Sequence, residues 1–233
     1  EAGGDRCRRV GSFRECYGGQ GGSVGKRDLR AGRTGPVEAG PGVTVGSEYG
    51  TGSLEGSAFR RIVRDLCLVV PDAQVALRPA SGGAAGIRGV EVSARLDVLD
   101  MLKGDVSYTY QSAINQSDVQ FLRGRFLPLR PLHEMTAAIS YYNDSVEIGG
   151  EAAYVGAVFR DRTNEPTAFV GPRWLFHVCA SWNVFQGQGD DGRIAEKLSV
   201  GLELRNILNG RVVDIAGFPL PGRAIYGVLS YQF

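Results

Sequence analysis

Apolar and polar residues alternate along several stretches of this chain, and the alternation is clearest at its end. Ile225, Leu229 and Tyr231 fall on one face of the last stretch, while Ser230 and Gln232 fall on the other. Successive side chains of a β-strand point to opposite sides, so a period of two indicates a strand. The chain therefore closes on a predicted strand with one apolar face.

Residues 172–185 follow the same period with larger side chains. Trp174, Phe176 and Trp182 lie on one face of this stretch, and His177 and Cys179 lie on the other. The two tryptophans are placed as lipid-facing or interfacial side chains would be, because Trp is enriched where an apolar surface meets water.

Extended to the whole sequence, the pattern predicts nine strands. Most reach the ~9–11 residues that a tilted strand needs to cross a bilayer, whereas strands of soluble proteins average about five or six. The second strand carries Arg60, Arg61, Arg64 and Asp65, so part of it should project above a membrane. The predicted strands are residues 37–49, 54–70, 87–98, 103–114, 130–142, 145–159, 172–185, 195–206 and 222–233.

The predicted links between strands alternate in length. Links at 50–53, 99–102 and 143–144 are short and 186–194 is intermediate, whereas 71–86, 115–129, 160–171 and 207–221 are long. Outer-membrane barrels have short periplasmic turns and longer external loops. If the last strand ends in the periplasm, every long link lies outside. We therefore predict an all-β, antiparallel transmembrane barrel segment of about nine to ten strands.

Composition agrees with this class and excludes others. The net charge of +1 gives no electrostatic footprint for nucleic acid. Mean hydropathy is −0.11, and no run of apolar residues is long enough for a transmembrane helix. The sequence opens without Met or a signal peptide, so we expect a fragment of a longer exported protein.

Several short motifs resemble those of TonB-dependent outer-membrane receptors. The match is strongest over Asn206-Ile-Leu-Asn209, Phe218-Pro-Leu-Pro-Gly-Arg223 and the strand to Phe233. Ser107–Tyr110 and Leu127–His133 resemble a strand, loop and next strand of the same family.

Two weaker matches lie near the start of the chain. Ser12–Gly18 and Gly25–Arg30 resemble two of the family's N-terminal boxes, with Cys16 in place of Leu and Lys26 and Arg27 in place of Asn-Pro. We accordingly divide the chain into an eroded receptor-like segment with an external loop, residues 1–36, and the C-terminal part of the barrel, residues 37–233.

The resemblance implies part of a 22-stranded, plugged barrel in the outer membrane of a Gram-negative bacterium. It implies uptake of a ligand such as a ferric siderophore, outer-membrane lipid as surroundings, and contact with TonB only through a plug that this sequence does not include. It also implies that the terminal Phe233 is read by the barrel-assembly machinery. The barrel-end residues are Pro221, Gly222, Arg223, Tyr231 and Phe233.

Candidate ligand contacts lie in the predicted external loops. Their arginines could meet an anionic ligand through charge-assisted hydrogen bonds, or they could be solvated or face lipopolysaccharide. The candidates are Arg123, Arg125, Arg130, Arg160 and Arg162.

Other candidate chemistry is weaker. His177 and Cys179 share the expected inner face, but two ligands do not make a metal or haem site, and residues 13–30 lack the His that haem receptors of the family usually carry there. The spacing of the four cysteines, Cys7, Cys16, Cys67 and Cys179, favours no disulfide pairing, and they are interpreted as small apolar residues.

A possible catalytic motif lies near the start of the chain. Gly21–Gly25 fits the pattern Gly-x-Ser-x-Gly, but the strand before it and the helix after it that a nucleophile elbow needs are not predicted. We expect no catalytic residue, metal or cofactor, and no enzyme.

Two alternatives stay open at this stage. A tenth strand at residues 5–14 could close a small complete barrel, either a passive pore or an outer-membrane enzyme. A soluble all-β binding module would need Val106, Tyr108 and Tyr110 to be buried in a sandwich.

Overall fold

The computed structural model describes residues 33–71, 77–188, 194–215 and 218–232, and the regular secondary structure of this part of the chain is almost entirely β-strand. A short 3-10 helix spans Pro166–Ala168, and no helix in these ranges is long and apolar enough to cross a membrane. The strands are β1 (Arg33–Ala39), β2 (Gly42–Ser47), β3 (Gly50–Pro71), β4 (Leu77–Val98), β5 (Leu102–Asn115), β6 (His133–Tyr142), β7 (Val146–Val155), β8 (Val158–Phe159), β9 (Phe169–Val170), β10 (Arg173–Gln188), β11 (Ile194–Arg205), β12 (Val213–Ile215), β13 (Phe218–Pro219) and β14 (Ala224–Gln232).

Ten of these strands form one antiparallel sheet in which chain neighbours pair in sequence. The order is β1-β3-β4-β5-β6-β7-β10-β11-β14, with β2 also on β3. β1 and β2 lie end to end along β3, since Ala39 is opposite Ala58 and Gly42 is opposite Glu55. The sheet is therefore nine strands wide, which confirms the predicted all-β antiparallel architecture.

The predicted first strand, residues 37–49, is thus two strands interrupted at Gly40 and Pro41. Proline has no N–H to donate to a ladder, and its carbonyl here accepts a hydrogen bond from Gly56 N at 2.9 Å. The sheet starts at Arg33, while residues 1–32 lie outside the described part of the chain, together with the two N-terminal boxes and the possible tenth strand.

The predicted long link at 71–86 is wrong. β3 and β4 each run for 22 residues, and only residues 72–76 separate them. β1 begins opposite Arg64 and β5 ends opposite Ala85, so the hairpin continues past both neighbouring strands. At about 3.3 Å per residue, it extends roughly 20 Å beyond the sheet.

The strand register sorts side chains into two faces. Residues directly opposite each other in an antiparallel pair lie on the same face, so one face can be followed from strand to strand. One face is apolar across all nine positions of the sheet and is called the apolar face here; the opposite one, called the inner face, is mainly polar. Exposed members of the apolar face include Val43, Leu54, Val92, Val106, Ile139, Ile148, Trp182, Val200 and Leu229.

The sheet has a short-turn end and a long-loop end. Residues 48–49, 99–101 and 143–145 turn at the first, whereas 116–132, 156–172 and 206–223 connect strands at the second. Two of the long loops contain small hairpins of their own, β8–β9 and β12–β13. Among the described strands no pairing joins β14 to β1 or β2, so the sheet has two unpaired edges.

Candidate functional site

The apolar face has the dimensions of a membrane-spanning band. On β5 it runs from Leu102 to Tyr110, which is as long as the ~9–11 residues that a tilted strand needs to cross a bilayer. The next cross-strand row beyond Tyr110 is polar, with Arg60 opposite Arg88 and Arg88 opposite Ser112. The band therefore ends where the charges begin.

Aromatic side chains mark both ends of this band. Near the long-loop end, Trp174 lies 4.8 Å from Tyr154 and 5.7 Å from Phe176, measured between ring centroids. Trp182 and Tyr231 lie toward the short-turn end, and Trp174 and Trp182 remain 43% and 57% exposed. Two aromatic belts around an exposed apolar surface are typical of a protein that sits in a bilayer.

The inner face carries charges in pairs. Arg61 lies 3.6 Å from Glu38, and Lys103 lies 3.3 Å from Asp97. Such partly exposed pairs contribute little to stability individually, but they show that this face suits water or polar protein and does not suit lipid.

The predicted barrel-end motif is held together by two asparagines at the long-loop end. Asn206, which is 4% exposed, donates from Nδ2 to Gly210 O at 2.9 Å and Pro221 O at 3.2 Å. Its Oδ1 accepts from Gly210 N at 2.9 Å. Asn209 Oδ1 accepts from Arg223 N, also at 2.9 Å. The sequence indicates this motif but not what holds it together. The two Asn side chains fix the Pro-Gly-Arg turn through hydrogen bonds to its backbone.

The turn residues fit that clamp. A Cβ on Gly222 would lie 2.9 Å from Asn209 Oδ1, so a larger residue would displace the acceptor that holds Arg223 N. Arg223 itself is exposed beside the start of β14, and Tyr231 is exposed on the apolar face. Phe233 lies outside the described residues, and its expected role stays a prediction.

Two of the long loops are joined to each other. Phe126 N donates to Asn164 Oδ1 at 2.7 Å, and Asn164 Nδ2 donates back to Phe126 O at 3.0 Å. Leu129 N donates to Phe159 O at 2.8 Å. These bonds link residues 116–132 to residues 156–172, so the loops containing all five candidate arginines form one rim.

The five arginines differ in their surroundings on that rim. Arg123, Arg125 and Arg130 are exposed, whereas Arg160 and Arg162 are half-buried. The Nε atoms of the last two are shut off from solvent and have no hydrogen-bond partner in the described part of the chain.

Asp161, between these arginines, is turned toward the backbone of its own loop. Its carboxylate accepts from Thr163 N at 3.1 Å, from the Thr163 hydroxyl, and from Glu165 N at 3.2 Å. Burial raises the pKa of Asp161, but the hydrogen bonds from Thr163 and Glu165 together outweigh it, and the pKa lies below its ordinary value. Asp161 therefore stays charged and orders the loop.

His177 and Cys179 share the inner face, as predicted. His177 is 8% exposed, and its Nδ1 accepts from Asn206 N at 3.2 Å. No group of His, Cys, Asp or Glu side chains suited to a metal occurs in the described residues. Cys179 is disulfide-bonded, contrary to the expectation of unpaired cysteines. Cys7, Cys16 and Gly21–Gly25 also lie outside the described residues.

No protein-family model and no curated protein sequence matches the chain. Solved structures do. The ferric-catecholate import receptor Fiu from E. coli K12, in its closed form, aligns with a TM-score of 0.64 at 19% identity over 92% of this chain. The siderophore receptor PiuA from Acinetobacter baumannii aligns with a TM-score of 0.66 at 16% identity over 85%, and the copper transporter OprC with 0.63 at 19% over 88%.

The fold is that of a TonB-dependent receptor barrel. The chain covers 29% of Fiu, 28% of PiuA and 32% of OprC, so it spans about a third of the length of these proteins. A TonB-dependent receptor barrel is much wider than nine strands, which accounts for the two unpaired edges of this sheet.

Proposed function

We propose that this chain forms the C-terminal part of an outer-membrane receptor barrel that imports an external ligand, such as a ferric siderophore, with energy delivered through TonB. The observation that carries the proposal is the sheet itself. Its apolar face is long enough to cross a bilayer as tilted strands, its inner face carries paired charges, and neither edge is paired within the described strands. Exposed sheet edges in lipid would leave backbone N–H and C=O groups unpaired, at a cost of several kcal/mol each. The functional barrel therefore needs further strands that pair with both edges.

Transport by receptors of this architecture needs a part that fills the barrel and couples it to TonB. In this proposal that part lies elsewhere in the full-length protein. The chain described here contributes a section of the barrel wall, three of the long loops and the last strand of the barrel. Neighbours described as receptors and transporters of ferric siderophores, ferric citrate or copper support an importer and give no support to an enzyme.

The ligand would first meet the rim made by loops 116–132 and 156–172. Five arginines on that rim favour an anionic ligand, since guanidinium groups bind carboxylate and similar oxyanions in bidentate fashion. We propose Arg123, Arg125, Arg130, Arg160 and Arg162 as the source of this preference.

The test is uptake of radioactive iron, supplied as ferric siderophores, by cells that make the full-length protein with and without TonB. We expect accumulation above that of cells lacking the protein, and loss of this excess when TonB is deleted. Accumulation that survives TonB deletion would indicate a passive pore. Recovery of the protein in the soluble fraction would indicate a soluble binding module.

A further inference from the structure

Two arginines lie opposite each other on the apolar face, just beyond the end of its apolar band. Ala58 is opposite Val90 in the register, and two positions further along the strands Arg60 is opposite Arg88. Side chains two positions apart on a strand point to the same side, so both arginines continue the face that carries the band. Both are exposed, and they lie toward the long-loop end of the sheet.

No acidic side chain on this row of the described strands neutralises the two arginines. Their neighbours across the sheet are Val37, opposite Arg60, and Ser112, opposite Arg88. Neither arginine forms an ion pair or a side-chain hydrogen bond within the described residues. Residues directly opposite in an antiparallel pair have Cβ atoms about 4.5–5.5 Å apart, and like charges placed there destabilise a sheet. An anion from outside the chain would therefore relieve a repulsion that the sheet itself leaves in place.

The adjacent arginine of β3 has different surroundings. Arg61 lies on the inner face, where its guanidinium group is 3.6 Å from the Glu38 carboxylate and 5.0 Å from the centre of the Phe59 ring. The strand thus pairs its inward arginine with a carboxylate and leaves its outward arginine without one. Arg61 is accordingly a reference for an arginine of the same strand whose charge is already balanced.

The surface beside and below the two arginines is apolar and open. Val37 is 72% exposed, Val90 43% and Tyr110, which is opposite Val90, 37%. A soluble anion would contact the guanidinium groups but gain nothing from this apolar surface. A lipid that carries a phosphate matches both parts, because its acyl chains lie along the band and its headgroup lies at the height of the charges.

We propose that Arg60 and Arg88 bind the headgroup phosphate of a lipid in the outer leaflet of the membrane, with its acyl chains against Val37, Val90 and Tyr110. Guanidinium groups bind phosphate oxygens in bidentate fashion, and two of them on one row can share a phosphate. The inference rests on the proposed function for the orientation of the sheet, in which the long-loop end faces outward. The site lies on the outside of the barrel wall, whereas the proposed contacts to the imported ligand lie on the loops.

The experiment measures binding of fluorescent lipid A, a phosphorylated lipid, to the full-length protein purified in detergent. We expect Arg60→Gln and Arg88→Gln each to weaken binding roughly 5- to 10-fold, as loss of one basic side chain at an anionic lipid surface predicts. Lipid A without its phosphates should bind weakly, and equally, to the parent protein and to both variants. Inorganic phosphate should not displace lipid A, because it makes no apolar contact.

Arg61→Gln is the matched control, since it removes the same charge one position away on the inner face. This variant should bind lipid A as the parent protein does. Arg60→Lys and Arg88→Lys keep the charge without the planar fork, so they should bind with intermediate strength and remain informative if the Gln variants fail to fold. Heat-modifiable mobility on a gel checks the fold of every variant.

Unchanged lipid A binding in both Gln variants, or an equal loss in Arg61→Gln, would overturn the site. Displacement of lipid A by inorganic phosphate would contradict the assignment to a lipid. The measurement needs neither TonB nor an imported ligand, so its failure leaves TonB-dependent uptake untouched. Uptake that ignores TonB, by a protein that still binds lipid A through Arg60 and Arg88, would contradict only the proposed function.

Discussion

Single asparagines determine the shape of the long-loop end. Asn164, Asn206 and Asn209 have positive φ angles of 57°, 48° and 53°, a conformation that Asn tolerates better than most residues. Each also uses its side chain as a clamp between segments distant in sequence. A sequence shows that Asn is present but not which distant carbonyl it reaches, so these roles could not be predicted from the sequence.

Asn206→Asp tests the clamp on the barrel-end turn. The change keeps an Oδ1 acceptor for Gly210 N but removes both donors, leaving the carbonyls of Gly210 and Pro221 without this partner. We expect a loss of about 2–3 kcal/mol in the free energy of unfolding, measured by urea titration in lipid vesicles. Leu208→Ala is the control, since Leu208 is 67% exposed in the same loop. A loss no greater than that of the control would contradict the clamp.

The hydrogen bonds of Asp161 predict how the loop at residues 156–172 responds to acid. The pKa of the Asp161 carboxyl is lower in the folded state than its ordinary value of 3.8. Its charge therefore stabilises the folded state at any pH above 3.8, and this stabilisation is lost as the pH falls through the lowered pKa. Hydrogen exchange should find the amides of Thr163 and Glu165 protected equally from neutral pH down to about pH 4, and less protected below it. Asp161→Asn should already show reduced protection at neutral pH. Equal protection in the variant would contradict the role of the carboxylate.

At the scale of strands, the sequence predicted most of the sheet because period-two alternation is a local property. Apart from β4, the predicted strands lie close to the observed ones, and the face assignments of Trp174, Trp182 and His177 agree with the register. The exception is the β3–β4 hairpin, where Pro79, Gly82 and Gly83 resembled loop residues and hid the start of β4. Pairing with β3 overrides those local preferences, and a single-strand pattern cannot contain that information.

The two faces of β5 can be tested at adjacent positions. Val106 is on the apolar face, while Ser107 is on the inner face between Ser93 and Thr136. Val106→Arg should cost about 2–4 kcal/mol of unfolding free energy in a bilayer, because it places a charge near the lipid midplane. Ser107→Arg should cost much less, since the inner face is polar. Folded fractions after refolding into vesicles measure both, and a larger loss for Ser107→Arg would mean that the faces are reversed.

At the scale of the whole molecule, the sheet is an open part of a wider barrel. The receptor-like ending and the number of strands could be predicted from the sequence, because each rests on a pattern within a continuous stretch of the chain. The docking of two loops into one arginine-bearing rim was not, because Phe126 and Asn164 are 38 positions apart and meet only in the fold. Under the proposed function, the sheet crosses the outer membrane with its long-loop end outward, which would place the arginines of the rim at the cell surface.

Membrane orientation is therefore the most direct test of the account. The measurement is antibody access to an epitope inserted after Gly124, in a long loop, or after Asp100, in a short turn, of the full-length protein. Gly124 is exposed, and a Cβ there would meet no atom within 4 Å, so an epitope at this position is accessible to an antibody. The account predicts labelling of the Gly124 epitope on intact cells and of the Asp100 epitope only after the outer membrane is permeabilised. The reverse pattern, or no membrane-protected epitope at all, would contradict a barrel wall with its arginine rim at the cell surface.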